Sequence, residues 1–104
     1  MKRKKIVYIA GPITGVERYW EAFEKMEDEL IALGFIPISP SRLPVGLTDA
    51  QYARVNFATI DIADAVIFLP GWAHSKGARL EYEYCGYTNK FICEHVNRLK
   101  EVLG

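Results

Sequence analysis

Cysteine is scarce in this chain of 104 residues, and no long apolar run occurs in it. The two cysteines, Cys85 and Cys93, lack the paired spacing of a zinc site or a redox motif, so we expect buried free thiols and no metal. No apolar segment approaches the roughly 20 residues that span a bilayer, so no membrane partner is expected. A chain without a disulfide framework is expected in the reducing cytoplasm.

Neither sign of charge is in excess, since 13 acidic residues balance 13 basic ones. The one basic run, Lys2 to Lys5, precedes an apolar stretch of about five residues, which is too short for a secretion signal. The charge balance argues against a nucleic-acid polymer as partner. Half of the residues are apolar, and the length predicts a single globular domain over residues 1–104.

Short apolar strands alternate with amphipathic helices along the chain. Strands are predicted at 5–10, 35–39, 65–69 and 90–93. Helices are predicted at 17–33, from a cap at Thr48 or Asp49 to about 60, at 76–87 and at the C-terminus. Ser75 is predicted to cap the helix at 76–87. This alternation predicts a small doubly wound α/β fold of the flavodoxin or Rossmann type. Its parallel sheet has about four to five strands in the order 2-1-3-4, with helices on both faces.

The loop after the first strand, GPITG at Gly11–Gly15, lies at the predicted point where the strand order reverses. Gly11 and Gly15 let the backbone approach a ligand closely, and Thr14 adds a hydroxyl. The start of the next helix would offer N–H groups to an anion. The loop lacks the lysine of a P-loop and the spacing of a dinucleotide fingerprint, so a plain tight turn is the alternative.

The segment after the third strand carries a second set of candidates. Trp72 lies in the loop, Ser75 starts the helix, and Gly77 leaves room in its first turn. Glu81 follows Gly77 by one turn and can look into the same crevice. Glu83 is rotated by about 200° from Glu81 and is predicted to face solvent.

Two aspartates could supply a second carboxylate. Asp64 begins the third strand and Asp61 precedes it by one turn. The alternative for both is a structural cap, because the start of a strand lies at the far edge of the sheet from the crevice. Trp72 either stacks on a ligand or packs, and packing is favoured for Tyr84 and Tyr87.

Three segments resemble the DUF4406 family within the nucleoside 2-deoxyribosyltransferase-like superfamily. They are YIAGPITG at Tyr8–Gly15, ADAVIFLPGW at Ala63–Trp72 and SKGARLE at Ser75–Glu81. The resemblance implies a nucleoside or nucleotide N-glycosidase or 2-deoxyribosyltransferase, that is, a hydrolase or transferase acting on a small molecule. It also implies a homo-oligomer, since a neighbouring subunit commonly completes the pocket in the transferases.

The same resemblance assigns roles to residues. Glu81 would attack the anomeric carbon and form a glycosyl-enzyme ester, while Asp64 would protonate or position the departing base. No cofactor is expected, because retaining glycosyl transfer needs carboxylates and positioning. The substrate contacts implied for the pocket are Tyr8, Gly11, Pro12, Thr14, Gly15, Asn56, Trp72, Ser75 and Gly77.

The sequence departs from this pattern at two positions, where Asn56 and Ser75 stand at or near acidic residues of many relatives. These departures put base exchange in question more than they do the fold. Two other functions therefore stay open. One is a nucleotide-binding module that does not cleave its ligand, and the other is an interaction domain with Trp72, Tyr82 and Tyr84 at a subunit interface.

Overall fold

Four parallel strands form the sheet of the protein in a computed structural model that describes residues 3–104. They are β1 (Ile6–Ala10), β2 (Ile36–Ile38), β3 (Ala65–Phe68) and β4 (Ile92–Cys93). β1 pairs with both β2 and β3, and β4 pairs with β3, so the order is 2-1-3-4. The predicted α/β class and strand order are confirmed.

Four helices cover the two faces of this sheet. They are α1 (Trp20–Ala32), α2 (Asp49–Ile62), α3 (Lys76–Tyr87) and α4 (Val96–Leu103). Short 3-10 turns follow β2 at Pro40–Arg42 and β3 at Trp72–His74. Each helix is a crossover between parallel strands or closes the chain, which is why both sheet faces are buried.

The side-chain alternation of the central strands creates two separate cores. Val7 and Ile9 of β1 pack with Phe23 and Leu30 of α1 on one face. Tyr8 of β1 belongs to the other core, together with residues of α2 and α3. Successive strand residues point to opposite faces of the sheet. Alternate residues of β1 therefore contact the helices on one face, and the residues between them contact the helices on the other.

The first helix begins later than its apolar periodicity predicts. α1 starts at Trp20 instead of residue 17, because the preceding residues form turns: Val16 N–H donates to Ile13 O, and Arg18 has a left-handed φ of 55°. The helix therefore begins five residues after Gly15 instead of the predicted two.

The predicted caps of the next two helices are confirmed. Thr48 accepts from Gln51 N–H while the Gln51 side chain accepts from Thr48 N–H, which is a reciprocal capping box at the start of α2. Ser75 Oγ accepts from Ala78 N–H at the start of α3. Both helices therefore begin at the residue that the sequence indicates, and α2 runs on to Ile62.

Within residues 3–104, no helix combines the length and the apolar character needed to cross a membrane.

Candidate functional site

Glu81 lies at the meeting point of α2, α3 and β1. Its side chain is 7% exposed, and its Oε2 accepts a hydrogen bond of 2.9 Å from the hydroxyl of Tyr8 in β1. Asn56, buried on α2, lies near the same carboxylate and lowers its pKa. Glu83 is exposed, as the helical spacing predicts. Elements far apart in the chain thus surround one inward-facing carboxylate, and the hydroxyl of Tyr8 holds it.

Two opposing effects set the pKa of the Glu81 carboxyl. Burial raises the pKa of its carboxyl from 4.5 to about 7, because a charged carboxylate is poorly solvated there, while the hydrogen bond from Tyr8 and the nearby Asn56 side chain lower it. The pKa of the Tyr8 hydroxyl is raised by its own burial and by the neighbouring carboxylate, so Tyr8 stays protonated and donates. A carboxyl with a pKa near neutrality is suited to chemistry at physiological pH.

Gly77 lies one turn before Glu81 on α3 and leaves space beside it. A Cβ built on Gly77 would meet no atom within 4 Å, and the residue is exposed. Ser75, by contrast, uses its hydroxyl to cap the helix. The first turn of α3, one turn before Glu81, is therefore open at Gly77.

Gly11 packs closely against the chain that follows β3. It is buried, and a Cβ there would lie 2.9 Å from Leu69 Cδ1 and 3.0 Å from Leu69 Cβ. The glycine is required because β1 and the chain after β3 approach closely at this edge of the sheet. Its ligand-facing role thus lacks support here, although a packing role is evident.

The remainder of the first loop stays near the surface. Pro12 is half-buried, and its ring lies 3.6 Å from where a Gly71 Cβ would be. Thr14 and Gly15 are exposed, and Gly15 has a left-handed φ of 78°, which favours glycine. These residues are open to a ligand at the edge where β1 ends.

The two glycines give a paired prediction. Replacing Gly11 with alanine should destabilise the protein by about 1–3 kcal/mol, because the added methyl group overlaps Leu69. Replacing Gly77 with alanine should be neutral or stabilising by up to about 1 kcal/mol, since the helix gains propensity and no clash arises. Urea unfolding of both variants checks this, and an equal loss in both would contradict the packing role of Gly11.

Trp72 is engaged by other side chains. Its ring stacks on Tyr82 at 4.6 Å between centroids and tilts against Phe68, and its Nε1–H donates to Glu94 at 3.1 Å. These residues line a cleft of about 180 Å³ with Ile92 and Cys93, at the end of β4. Packing and ligand stacking were both open for Trp72, and the structure shows extensive packing.

Asp64 is not brought to Glu81. It lies immediately before β3, at the amino edge of the sheet. The guanidinium of Arg3 donates to its two carboxylate oxygens at 2.8 and 3.0 Å, and the backbone N–H of Ile6 donates to it at 2.7 Å. The hydrogen bonds from Arg3 and Ile6 hold its pKa down at about 2, against the opposing effect of burial. This placement speaks against a catalytic role for Asp64 and fits the structural alternative.

Asp61 also lies outside the Glu81 cluster, since its Oδ1 accepts a hydrogen bond from the Tyr84 hydroxyl at 2.6 Å.

Cys85 is a buried free thiol, and Cys93 is half-buried and free. Burial raises the pKa of the Cys85 thiol to about 11. Within the described residues, no three His, Cys, Asp or Glu side chains cluster as metal ligands.

The sequence reading missed the partners that hold the site together. It named Tyr8, Asn56 and Glu81 separately, but no spacing signal joins a strand tyrosine to a glutamate 73 residues later. The pairing of Trp72 with Glu94, across 22 residues, was missed for the same reason. Both contacts depend on how helices dock on the sheet.

Comparison with solved structures shows a shared fold. The chain is similar to a 2-desoxiribosyltransferase from Leishmania mexicana, with a TM-score of 0.70 and 18% sequence identity. The match covers 86% of this chain and 63% of that protein, so this chain spans less than two thirds of its length. No curated protein sequence matches this chain.

The family assignment comes from the sequence itself. A family model described as a domain of unknown function, DUF4406, matches residues 5–94, which is most of the chain. The matched range includes all four strands and both helices that hold the Glu81 cluster. This chain therefore belongs to the DUF4406 family.

Proposed function

We propose that this protein cleaves the N-glycosidic bond of a nucleoside or nucleotide, with Glu81 as the nucleophile. The observation that carries the proposal is the buried Glu81 carboxyl, with its pKa raised to about 7, held by the Tyr8 hydroxyl one helical turn after the exposed Gly77. The fold of the chain is similar to that of a 2-desoxiribosyltransferase, which supports the same reaction class.

In the proposed reaction, the ionised oxygen of Glu81 forms a bond to the anomeric carbon of the sugar. The bond from that carbon to the base nitrogen breaks, and the base leaves with the electron pair. A carboxylate first stabilises the positive charge that develops on the sugar ring and then bonds to it. Attack on the resulting ester by water releases the sugar, whereas attack by a second base completes a transfer.

Tyr8 and Asn56 are positioning residues in this scheme. The hydroxyl of Tyr8 donates to the Glu81 carboxylate. Because Tyr8 is fully buried, this hydroxyl does not reach the surface. The hydrogen bond from Tyr8 restricts the rotation of the carboxylate, and Asn56 nearby helps to stabilise its charge in a buried setting. The exposed residues Thr14, Gly15 and Gly77 are proposed to contact the substrate.

Incubation of the purified protein with a panel of nucleosides and 5′-monophosphates tests the proposal, with free base followed by chromatography. Release of base from one member, alone or with a second base present, would support hydrolysis or transfer respectively. A nucleotide-binding module is the second candidate, favoured by the absence of Asp64 from the cluster. It predicts thermal stabilisation by one panel member without release of base.

Replacing Asp64 with asparagine separates the two roles considered for that residue. The variant should lose about 1 kcal/mol of stability, because the neutral side chain weakens the contacts with Arg3 and Ile6 N–H. Base release per folded molecule should stay within about threefold of the wild type, since a residue outside the site contributes little to the barrier. A drop as large as that of a Glu81 variant would restore the catalytic role of Asp64.

A further inference from the structure

A cleft separate from the Glu81 cluster opens at the carboxyl end of β4, and we call it the β4 cleft. It is lined by three aromatic rings and by three residues at the end of β4, which are Phe68, Trp72, Tyr82, Ile92, Cys93 and Glu94. Its volume is about 180 Å³. A cavity of roughly 150 Å³ holds a benzene-sized molecule, whereas sites for drug-sized ligands measure roughly 300 Å³ or more. The β4 cleft therefore fits a small group and is too small for a nucleoside.

The aromatic rings of the β4 cleft support one another and remain partly accessible. Trp72 stacks on Tyr82, and Phe68 lies against these two rings with centroids 5.1 and 5.7 Å away. Trp72 is half-buried and Tyr82 is 42% exposed, so both rings can be reached from solvent. The face of an aromatic ring carries negative electrostatic potential and attracts a cation within about 6 Å of its centre. The cleft thus offers preformed rings whose contact with a cation needs little ordering.

Glu94 supplies a negative charge to the same cleft. Its Oε1 accepts a hydrogen bond of 3.1 Å from Trp72 Nε1–H, while its Oε2 has no hydrogen-bond or ion-pair partner within residues 3–104. Burial raises the pKa of the Cys93 thiol, so the thiol stays neutral. Arg98, on the helix that follows, is paired with Glu101 at 3.0 Å. Among residues 3–104, the lining of the cleft therefore contains one anionic group and no cationic one.

We propose that the β4 cleft binds a small, free organic cation of the alkylammonium class, with its carbon substituents against the rings and its charge beside the Glu94 carboxylate. An alkylammonium ion combines an apolar surface with a diffuse positive charge, which matches both features of the lining. A divalent metal ion requires several oxygen ligands, whereas this cleft offers one carboxylate. An anion would be repelled by Glu94. The site does not depend on the function proposed for Glu81.

Tryptophan fluorescence of the full chain during titration with choline tests the site, with the ionic strength held constant by sodium chloride. The chain has two tryptophans, so the Trp20→Phe variant assigns the signal to Trp72. Choline should change the emission saturably, with a dissociation constant of about 1–10 mM for so small a ligand. The neutral isostere 3,3-dimethylbutan-1-ol has the same shape without the charge and should bind at least about tenfold more weakly. No saturable change, or equal binding of the two compounds, would overturn the proposal.

Glu94→Gln separates the charge of the cleft from its packing. Glutamine can still accept from Trp72 Nε1–H, so the rings stay in place, and the affinity for choline should fall by about tenfold. Tyr82→Leu keeps an apolar side chain but removes a ring, and it should weaken choline binding by about threefold or more. The matched control is Glu29→Gln, because Glu29 is exposed on α1, whose buried residues pack on the other face of the sheet. Near-ultraviolet circular dichroism checks the packing of the rings in each variant.

The pattern across these variants decides the outcome. Glu29→Gln should leave the affinity for choline within about twofold, so a loss equal to that of Glu94→Gln would overturn the proposal, as would wild-type affinity in Glu94→Gln. Phosphatidylcholine vesicles present the same cation on a membrane. The protein should not sediment with them, because a millimolar headgroup contact without an inserted anchor does not hold a protein on a bilayer. Sedimentation that Glu94→Gln abolishes would overturn a free cation as the ligand.

Discussion

Glu81→Gln is expected to abolish base release by this protein, lowering the rate by about 10³-fold or more. Glutamine matches the size of glutamate and can still accept from the Tyr8 hydroxyl, so the packing between α2, α3 and β1 is kept. It carries no charge and cannot form the glycosyl ester. Removal of a nucleophile costs far more than removal of a positioning contact, which is why the loss should be near complete.

The matched control for this variant is Glu83→Gln, on the same helix. Glu83 is exposed and faces away from the cluster, so its replacement changes the same charge without touching the site. Both variants are assayed by chromatography of free base with the substrate that the wild type cleaves. Equal rates for the wild type and Glu81→Gln would exclude Glu81 as the nucleophile.

Glu81 should also make the stability of the wild type fall as the pH rises from about 5 to 8. The carboxyl has a pKa of about 7 in the folded protein and 4.5 as an ordinary side chain. Between these values the unfolded chain loses a proton that the folded chain keeps, so each step in pH favours unfolding. Above pH 7 the raised pKa of Glu81 lowers the free energy of unfolding by about 3 kcal/mol, and below pH 4.5 it has no effect on that free energy.

Urea unfolding at pH 5 and pH 8 measures this effect. Glu81→Gln lacks the titrating group, so its stability relative to the wild type should increase across the interval. Asp64 does not interfere, because its pKa of about 2 confines its effect to more acidic conditions. Parallel changes in the free energy of unfolding of the two proteins would contradict a raised pKa at Glu81.

The same titration should appear in catalysis. The nucleophile must be ionised, so base release should rise as the pH passes through about 7. Tyr8→Phe removes a hydrogen bond that lowers the pKa of Glu81, and it should move the acid limb of the pH profile to higher pH. A change in rate without a shift of that limb would indicate that Tyr8 acts on packing alone.

These predictions concern a cluster whose members were all named from the sequence but whose contacts were not. Glu81 was singled out by its helical spacing from Gly77, and Glu83 was assigned to solvent by the same geometry. Asn56 was noted as a departure from an acidic residue of many relatives. In the structure, that departure places a neutral side chain near Glu81, where a second carboxylate would have repelled it.

Asp64 shows where local reasoning was insufficient. Its position before β3 was clear from the sequence, but its partners Arg3 and Ile6 lie about 60 residues earlier in the chain. Gly11 is a similar case, because its need for a missing Cβ comes from Leu69 and not from its own loop. The family resemblance implied a role at the site for both residues, and the structure adds an ion pair for Asp64 and close packing for Gly11, at opposite edges of the sheet.

The sequence by itself determined the fold class, the strand order and the starts of α2 and α3, because these depend on local periodicity, short crossovers and caps within a few residues. Tertiary structure decided which carboxylate is buried and which is tied to Arg3, since desolvation and ion pairing depend on residues brought together from distant parts of the chain. It also decided that Val55 and Ile62 of α2 face outward while Asn56 and Ile60 are buried, because helix docking on the sheet selects which side of each helix is covered.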